Sequence, residues 1–154
     1  MLANEQLIHK FYTSFQNKDY AGMQDCYSED AVFNDEVFKN LNAQQVRKMW
    51  EMLIKRAHDL QLSFKNIQAD DHEGSAEWTA TYTFTKTGKK VVNHIHAGFV
   101  FKDGKIQRHT DQFNFRKWAK QAIGPVAGIP LFGHFLKKKV QKTAAKNLED
   151  YMSQ

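Results

Sequence analysis

Three residues able to share or move protons, Asn93, His109 and Asp111, lie among large apolar residues in one stretch of the chain, residues 93–118. Such side chains are costly to bury unless they are hydrogen-bonded. In an apolar cavity, loss of solvent raises the pKa of a carboxyl group toward the range useful for proton transfer. The same residues can instead pair with one another only to satisfy their burial. The pattern is therefore compatible with an active site and with a buried polar cluster.

The register of the hairpin predicted within residues 93–118 decides which of these groups face inward. A two-residue turn at Asp103-Gly104 would pair odd with even positions and scatter the apolar residues over both faces. A three-residue loop over residues 102–104, with Gly104 in the left-handed region as a bulge, pairs odd with odd positions and separates apolar from polar residues. This second register is the predicted one. Its inward face holds Asn93, Ile95, Ala97, Phe99, His109, Asp111, Phe113 and Phe115.

The outward face of the same hairpin carries His94 and His96. A His-x-His pair on a strand is a spacing that metal sites use. No third ligand accompanies the pair, and Arg108 shares its face, so a complete ligand set is missing. The sequence predicts no metal and no cofactor, and this face is expected to meet solvent or a second copy of the chain.

Length and composition restrict the class of protein. A chain of 154 residues suits one domain, and 42% hydrophobic with 25% charged residues is typical of a globular protein. The single cysteine, Cys26, excludes an intrachain disulfide and favours a reducing compartment. The N-terminus does not resemble a signal peptide, and no apolar run approaches the roughly 20 residues that span a bilayer. A cytoplasmic location is therefore expected.

The formal net charge of +5 is concentrated toward the C-terminus, around lysines 137–146. Zinc-ligand spacings, an RNA-binding aromatic motif and a basic region followed by heptads are all missing, so nucleic-acid binding is not expected. Residues 131–152 place apolar residues at helical spacing opposite the lysines. Such a helix can lie on an anionic membrane, fold over the domain or pack on a partner. Its alanine-rich stripe without Trp favours packing, and a membrane surface is not expected.

The first third of the chain has the periodicity of helices. Apolar residues at helical spacing predict an amphipathic helix over residues 3–17. Asp19 can cap a short second helix that continues through Tyr27. Asn42 is placed to cap a third helix, in which six apolar residues share one face.

The remainder alternates between apolar and polar residues, as strands do. A short strand over residues 31–34 is predicted to end at Asp35. Residues 75–85 show the clearest alternation, with threonines on the face opposite the core. The inward set of this strand is Ala76, Trp78, Ala80, Tyr82 and Phe84.

Three helical segments followed by a long antiparallel sheet resemble the SnoaL-like branch of the nuclear transport factor 2-like superfamily. The resemblance covers roughly residues 5–120 and rests on FYTSFQNKDYAGMQDCYSEDAVFND, NAQQVRKMW and FVFKDGKIQRHTDQFNFRKW. It implies an α+β cone over residues 1–122, in which a curved antiparallel sheet wraps around the N-terminal helices and leaves an apolar pocket. Residues 123–154 would form a C-terminal amphipathic helix packed on the same domain or on a dimer partner. Members commonly dimerise through the outer sheet face, so a homodimer is expected.

The superfamily includes isomerases, dehydratases, polyketide cyclases, epoxide hydrolases and non-catalytic binding modules, so the fold does not set the function. In the resemblance to ketosteroid isomerases, the general-base aspartate falls at Asp35. Their oxyanion-hole tyrosine falls at Phe11, with Tyr12 one step round the helix. Their second acid falls near Ala97, so the two hydrogen-bond donors that stabilise an enolate do not map onto this chain.

The resemblance to limonene-epoxide-hydrolase-like enzymes is also partial. Those enzymes use an Asp–Arg–Asp arrangement, and Asp111 matches one of the aspartates. The Arg and the other Asp fall at Trp78 and Ala80, which cannot hold or activate a water molecule. The resemblance therefore argues against both chemistries in their known form.

Two hypotheses follow from the sequence. In the first, the protein binds a small apolar ligand and carries out acid–base chemistry of the isomerase, dehydratase or cyclase type, with Asp35 or Asp111 as base and His109 as an orienting or proton-sharing partner. In the second, it is a non-catalytic module that binds a ligand or a protein. The residues expected to line the ligand are Tyr12, Trp50, Trp78, Tyr82, Asn93, Phe99 and Phe113.

Overall fold

A curved sheet and five α-helices make up the computed structural model, which describes residues 2–154. The helices are α1 (Ala3–Gln16), α2 (Tyr20–Gln24), α3 (Ala43–Arg56), α4 (Phe115–Ala122) and α5 (Pro130–Met152), with a 3₁₀ turn at Pro125–Gly128. The strands are β1 (Tyr27–Asn34), β2 (Leu41–Asn42), β3 (Gln61–Ala69), β4 (Glu73–Phe84), β5 (Lys89–Lys102) and β6 (Lys105–Gln112).

The six strands form one sheet in the order β2-β1-β6-β5-β4-β3. The predicted α+β cone is confirmed. The sheet is mixed, however, because β1 runs parallel to β6 while the other neighbours are antiparallel. Hairpin connections force adjacent strands to be antiparallel. No hairpin joins β1 to β6, so the direction of that pairing could not be derived from turn signals.

The N-terminal helices form as their sequences predict. The buried face of α1 includes Ile8, Phe11, Tyr12 and Phe15, at the spacing of one side of a helix. Helix α3 begins with a capping box, in which the Asn42 side chain accepts from the Gln45 backbone N–H and the Gln45 side chain accepts from the Asn42 N–H, both at 2.9 Å. The predicted cap is confirmed.

The second helix is shorter than predicted. Asp19 caps it as expected, since its carboxylate accepts from the Gly22 N–H at 3.0 Å, but the helix ends at Gln24. Tyr27, predicted to end this helix, is instead the first residue of β1. The pairing of β1 with β6 is interrupted between Tyr27 and Val32, so the start of the strand lacks the alternation that would have indicated it.

The predicted odd-with-odd pairing of β5 and β6 is confirmed. Ala97 pairs with Asp111, and Phe99 pairs with His109. Along β5, buried and exposed residues alternate as the register requires, with Asn93 on the buried side. This pairing brings the inward residues of both strands into the interior of the cone.

The turn that produces this pairing differs from the predicted one. Lys102 pairs with Lys105, so the loop is the two-residue Asp103-Gly104, with φ of 52° and 75°. Positive φ at both positions is characteristic of a type I′ turn, whose twist matches that of the flanking strands. The extra residue is accommodated at Gln107, where the register shifts by one. The bulge therefore lies inside β6 and not at Gly104.

The C-terminal helices form a second apolar cluster with one end of the sheet. Val91, Phe115 and Trp118 are its large buried members, and Leu136 and Val140 of α5 pack against it. Farther along α5, Leu148 is buried in the main core. Helix α5 contacts α3 of the same chain. No helix in residues 2–154 is long and apolar enough to cross a membrane.

Cys26 is buried at the end of the α2 segment. Its thiol donates to the Gly22 carbonyl oxygen at 3.4 Å. Burial raises the pKa of the Cys26 thiol to about 11. The side chain therefore serves packing and is not a nucleophile at neutral pH.

The capping box predicts a measurable loss of stability. We expect Asn42→Ala to lower the free energy of unfolding by about 1 kcal/mol, because the hydrogen bond from the Gln45 backbone N–H to the Asn42 side chain is lost at the start of α3. Urea unfolding followed by circular dichroism measures this. Gln44→Ala, at an exposed position one residue into the same helix, is the control and should change stability little. Equal losses in the two variants would contradict the role of the cap.

Candidate functional site

A chain of hydrogen bonds runs through the interior of the cone. Trp50 Nε1 donates to Tyr27 Oη at 2.9 Å, and Tyr27 Oη lies 2.7 Å from His109 Nδ1. His109 Nε2 lies 2.9 Å from Asp111 Oδ1. His109 and Asp111 are only 1% and 3% exposed, and Tyr27 and Trp50 are buried as well. The hydrogen bonds join three elements, because Trp50 is on α3, Tyr27 is on β1, and His109 and Asp111 are on β6.

The Trp50 indole determines the direction of these hydrogen bonds. An indole nitrogen can only donate, so Tyr27 Oη accepts from Trp50 and has its own hydrogen to give. That hydrogen points to His109 Nδ1, which must then accept it. The remaining ring hydrogen of a neutral His109 lies on Nε2 and is donated to Asp111. Every link is satisfied, and the Tyr27 hydroxyl sets the imidazole tautomer.

Five aromatic rings pack around the His109 imidazole. The Phe99 and Phe33 ring centroids lie 4.5 and 4.9 Å from that of the imidazole, and Phe11 lies 5.6 Å away. The Tyr27 and Trp50 rings stack on it at 6.0 and 6.3 Å. This packing holds the ring in one orientation and keeps the hydrogen-bond chain away from water.

Two buried polar atoms close to this chain have no hydrogen-bond partner within residues 2–154, Tyr12 Oη and Trp78 Nε1. The two rings are neighbours, with centroids 6.1 Å apart. Burial, with a smaller contribution from the charge of Asp111, holds the pKa of Tyr12 well above its ordinary value. The Tyr12 hydroxyl therefore stays protonated and able to donate. Unsatisfied buried donors are rare and costly in folded proteins.

Asp35 lies in the turn that follows β1, half-buried. Its Oδ1 accepts from the backbone N–H groups of Val37 and Phe38 at 2.7 and 2.6 Å. Its Oδ2 accepts no hydrogen bond from residues 2–154. Burial raises the pKa of Asp35 to about 6, the two backbone N–H groups oppose this, and the negative charge of Asp111 adds to it. Asp35 is therefore a carboxyl group that titrates near neutral pH within the electrostatic reach of Asp111.

The other residues predicted to line a ligand are divided between two regions. Trp50 and Phe99 lie in the main core beside His109. Tyr82 and Phe113 are partly buried and touch both apolar clusters, and the Tyr82 hydroxyl accepts from Trp118 Nε1 at 2.7 Å. The predicted set therefore extends from the centre of the cone to its junction with α4.

Asn93 is on the inward face of β5, as predicted, and is 9% exposed. It pairs across the sheet with Ala80. It is not part of the hydrogen-bond chain that joins Trp50 to Asp111. Its place on the buried face is consistent with the predicted ligand-lining set, and a role in binding stays a prediction.

Helix α5 packs against the turn that holds Asp35. Lys137 Nζ lies 2.9 Å from a carboxylate oxygen of Glu36, and the Gln141 side chain donates to the Glu36 carbonyl oxygen at 3.0 Å. Val37, the next residue, touches both apolar clusters. The C-terminal helix therefore restrains the residues on the carboxyl side of Asp35.

Two surface clefts have volumes of about 260 and 540 Å³. One follows the outer side of α1, near His9 and Thr13, and the other lies along β3 to β6, near Asp70 and Arg108. Neither is lined by Asp35 or Asp111. Of the residues predicted to line a ligand, Phe99 lines the second cleft, and an apolar pocket inside the cone stays a prediction.

The outer sheet face carries the predicted histidine pair. His94 Nδ1 lies 2.9 Å from the Thr79 hydroxyl, and His96 Nε2 lies 3.3 Å from a Glu77 carboxylate oxygen. Across residues 2–154, no group of three His, Cys, Asp or Glu side chains is placed to hold a metal ion. Dimerisation through this face stays a prediction.

Sequence reasoning missed Tyr27, which sets the tautomer of His109. The residue was predicted to end a helix, and its burial is separated from that of Ala31 and Phe33 by three more exposed positions. The parallel pairing of β1 with β6 aligns Tyr27 with Ile106, and from there the Tyr27 hydroxyl reaches His109. A periodic signal could not have identified it, because the strand is irregular where Tyr27 lies.

A curved sheet wrapped around N-terminal helices, with buried carboxyl and imidazole groups on its inner face, defines a cone domain of the nuclear transport factor 2-like class. Within that class, the sequence pattern of the SnoaL-like domain matches residues 8–109. The chain belongs to the SnoaL-like domain family. No curated protein matches the sequence.

Solved structures with the same fold include enzymes of several descriptions. AclR from Streptomyces galilaeus, a proposed hydroxylase, is 26% identical and has a TM-score of 0.64 over 75% of this chain and 92% of its own. A proposed polyketide cyclase from Xanthomonas campestris pv. campestris is 20% identical, with a TM-score of 0.65 over 77% of this chain and 96% of its own. An LEH-like epoxide hydrolase from M. tuberculosis is 18% identical, with a TM-score of 0.64 over 84% of this chain and 96% of its own.

The two buried tyrosines should respond oppositely to loss of the hydroxyl group. Tyr27→Phe leaves Trp50 Nε1 and His109 Nδ1 without partners, so we expect the free energy of unfolding to fall by about 2–4 kcal/mol. Tyr12→Phe removes a hydroxyl that has no partner, so we expect a change within about 0.5 kcal/mol or a gain in stability. Urea unfolding of both variants measures this. Similar losses in both would show that the hydrogen-bond chain does not stabilise the core.

The pKa of Asp35 predicts a pH-dependent difference in stability. Because the folded pKa of about 6 lies above the ordinary value of 3.8, the stabilising contribution of the protonated Asp35 is complete below about pH 4 and is lost as the pH rises through about 6. Asp35→Asn keeps the acceptor for Val37 and Phe38 but cannot ionise. The free energy of unfolding of the wild type should therefore fall, relative to that of Asp35→Asn, by about 1–2 kcal/mol as the pH rises from 4 to 7.

Urea unfolding at several pH values measures this difference. Asp71→Asn, at an exposed position, is the control and should follow the wild type. If the free energy of unfolding of Asp35→Asn differs from that of the wild type by the same amount at every pH, the pKa of Asp35 is not raised in the folded protein.

Proposed function

We propose that the protein carries out acid–base chemistry on a small apolar ligand, with Asp35 as the general base. The observation that carries the proposal is the contrast between two carboxyl groups that interact electrostatically. Asp35 has a carboxylate oxygen, Oδ2, without a hydrogen bond from residues 2–154, and its pKa is about 6. Asp111, in contrast, accepts a hydrogen bond from the buried His109. Neighbouring titratable groups with different environments are the pattern by which enzymes assign proton-transfer roles.

Asp111 would act on the reaction through its charge and position. Its negative charge raises the pKa of Asp35, which makes the deprotonated Asp35 a stronger base. The bond from His109 fixes the Asp111 carboxylate, and Tyr27 fixes His109 in turn. Asp111 would therefore be a positioned charge beside the base, whereas Asp35 would exchange the proton.

Tyr12 and Trp78 would supply the hydrogen bonds to the ligand. Their unpartnered Oη and Nε1 atoms can donate to a carbonyl or hydroxyl oxygen, and neither atom has a competing partner within residues 2–154. A donor pair in an apolar interior stabilises negative charge that develops on an oxygen during proton abstraction. In this arrangement Tyr12 takes the part that the neighbouring position on α1 has in ketosteroid isomerases.

The similar structures support this class of chemistry at a coarse level. They include proposed polyketide cyclases and an LEH-like epoxide hydrolase on the same fold. Trp78 and Ala80 fall where limonene-epoxide-hydrolase-like enzymes have Arg and Asp. An epoxide-opening reaction with that set of residues is therefore not proposed, and isomerisation, dehydration or cyclisation remain.

A second candidate is a ligand-binding module without catalysis. The observation that favours it is the mutual satisfaction of His109 and Asp111 at 2.9 Å, within a core of closely packed rings. A cluster of this kind can exist only to stabilise the fold. The two candidates differ in the behaviour expected of Asp35, since a binding module has no need of a base.

The experiment is a panel of apolar carbonyl compounds with exchangeable α-hydrogens, assayed for exchange with solvent deuterium and for conversion. We expect the rate to rise with pH through about 6 and Asp35→Asn to lower it at least about 100-fold. Asp111→Asn should shift the pH profile to lower pH, because the charge that raises the pKa of Asp35 is gone. Asp71→Asn should leave the rate and its pH profile unchanged.

Binding measured on the same panel separates the two candidates. Wild-type protein that binds a compound and exchanges none of its hydrogens would support the binding module. Tyr12→Phe should weaken binding of oxygen-bearing compounds while keeping the stability of the fold. If no compound binds, or if turnover survives Asp35→Asn unchanged, the proposed base is wrong.

A further inference from the structure

The start of α5 and the 3₁₀ turn before it carry a concentrated apolar surface. Of nine exposed large apolar side chains in residues 2–154, five lie within this segment. Leu131 is 71% exposed and Phe135 is 66% exposed, the largest values in the set. The five residues are Val126, Ile129, Leu131, Phe132 and Phe135, which we name the apolar tip. A cluster of this kind on one short segment indicates an interaction site.

The exposed side of α5 changes character along the helix. Leu131, Phe135, Lys138 and Lys142 are separated by four, three and four positions, so they share one face. All four are exposed. The opposite face is the one that packs, through Leu148 in the main core and Leu136 and Val140 against the second cluster. The exposed face therefore begins with the apolar tip and continues as a row of lysines.

The stretch of chain that contains the apolar tip is strongly cationic, and the first acidic residues on α5 are Glu149 and Asp150 near its C-terminal end. Residues 112–148 contain eight Lys and Arg residues and no Asp or Glu. Two members of this group are paired with carboxylates, Lys137 with Glu36 and Lys146 with Asp150. The cations exposed on the same unit are Arg116, Lys117, Lys120, Lys138, Lys139, Lys142 and Lys146. A partner must therefore be anionic where it meets the lysines and apolar where it meets the tip.

We propose that the exposed face of α5, with its apolar tip, docks on an anionic membrane surface. A bilayer surface combines both requirements, since anionic head groups lie directly above an acyl boundary that accepts apolar side chains. A second copy of the same face would bring like charges together. Nucleic acid would satisfy the lysines, but Val126, Ile129 and Leu131 have no ring to stack on bases.

The apolar residues of the tail do not all face the protein. The apolar residues of the tail were expected to pack as one stripe. The structure divides them, because residues from Leu136 onward face the protein whereas Leu131, Phe132 and Phe135 face solvent. None of the docking residues belongs to the proposed catalytic group, so the two proposals can fail separately.

The test is co-sedimentation of the full chain with vesicles of phosphatidylcholine alone and of phosphatidylcholine mixed with phosphatidylserine. We expect binding to the mixed vesicles that weakens with added salt, and little binding to phosphatidylcholine alone. Leu131→Ser/Phe135→Ser should weaken binding at least about tenfold, because the inserted apolar surface is lost. Lys138→Gln and Lys142→Gln should each weaken it about fivefold.

Matched substitutions elsewhere serve as controls. Leu53→Ser/Val100→Ser changes two exposed apolar residues on α3 and β5, and Lys65→Gln removes an exposed lysine on β3. Neither should alter vesicle binding. All variants are at exposed positions, and thermal unfolding confirms that each remains folded.

Several outcomes would overturn the proposal. One is a failure to bind mixed vesicles, and another is equal binding to phosphatidylcholine alone. Binding to single-stranded RNA that depends on the lysines but not on Leu131 and Phe135, without vesicle binding, would assign the face to nucleic acid. Dimerisation that the Leu131→Ser/Phe135→Ser variant abolishes, measured by light scattering and again without vesicle binding, would assign it to a second copy.

Discussion

The register between β5 and β6 is the constraint on which the interior of this protein depends. Side chains alternate between the two faces of a strand, so a slip of one residue would send His109 and Asp111 to the outer face. The bulge at Gln107 prevents that slip after a two-residue turn. Once the register is set, the parallel pairing of β1 with β6 aligns Tyr27 with Ile106, from where its hydroxyl bonds to the imidazole. Helix α3 places the Trp50 indole next to that hydroxyl.

Those parts of the fold that depend on periodicity could be predicted from the sequence. The caps at Asp19 and Asn42 and the odd-with-odd pairing in the hairpin all follow from local residue types and from the separation of apolar from polar faces. The position of the bulge could not be predicted, because a bulge at Gly104 and one at Gln107 give the same alternation beyond the turn. The sequence pattern therefore predicts that odd positions pair with odd positions, but it does not predict at which residue the bulge lies.

The candidate site was predictable only in part, for a related reason. His109 and Asp111 were found because they interrupt an apolar alternation, which a single strand reveals. Tyr27 lies on an irregular strand that pairs with a segment about eighty residues away, so its contact with His109 exists only in three dimensions. The difference between Asp35 and Asp111 is also tertiary, because it arises from which carboxylate oxygens the rest of the fold engages.

The interior combines two physical requirements that usually conflict. A dense aromatic core favours uniform apolar side chains, whereas proton transfer needs polar groups that can change charge. Here four polar groups of the core, from Trp50 to Asp111, are hydrogen-bonded to one another. The carboxyl group with a pKa of about 6, that of Asp35, lies in a turn at the edge of the core. The core can therefore stay rigid while a residue at its margin titrates.

The buried Cys26 makes this chain well suited to site-specific labelling. A thiol with a pKa of about 11, enclosed by the protein, is almost wholly protonated at neutral pH and reacts slowly with alkylating reagents. A cysteine introduced at an exposed position would then be the one fast-reacting thiol of the folded chain. A fluorophore or spin label could be attached there without first replacing Cys26, whose removal would leave a gap in the core.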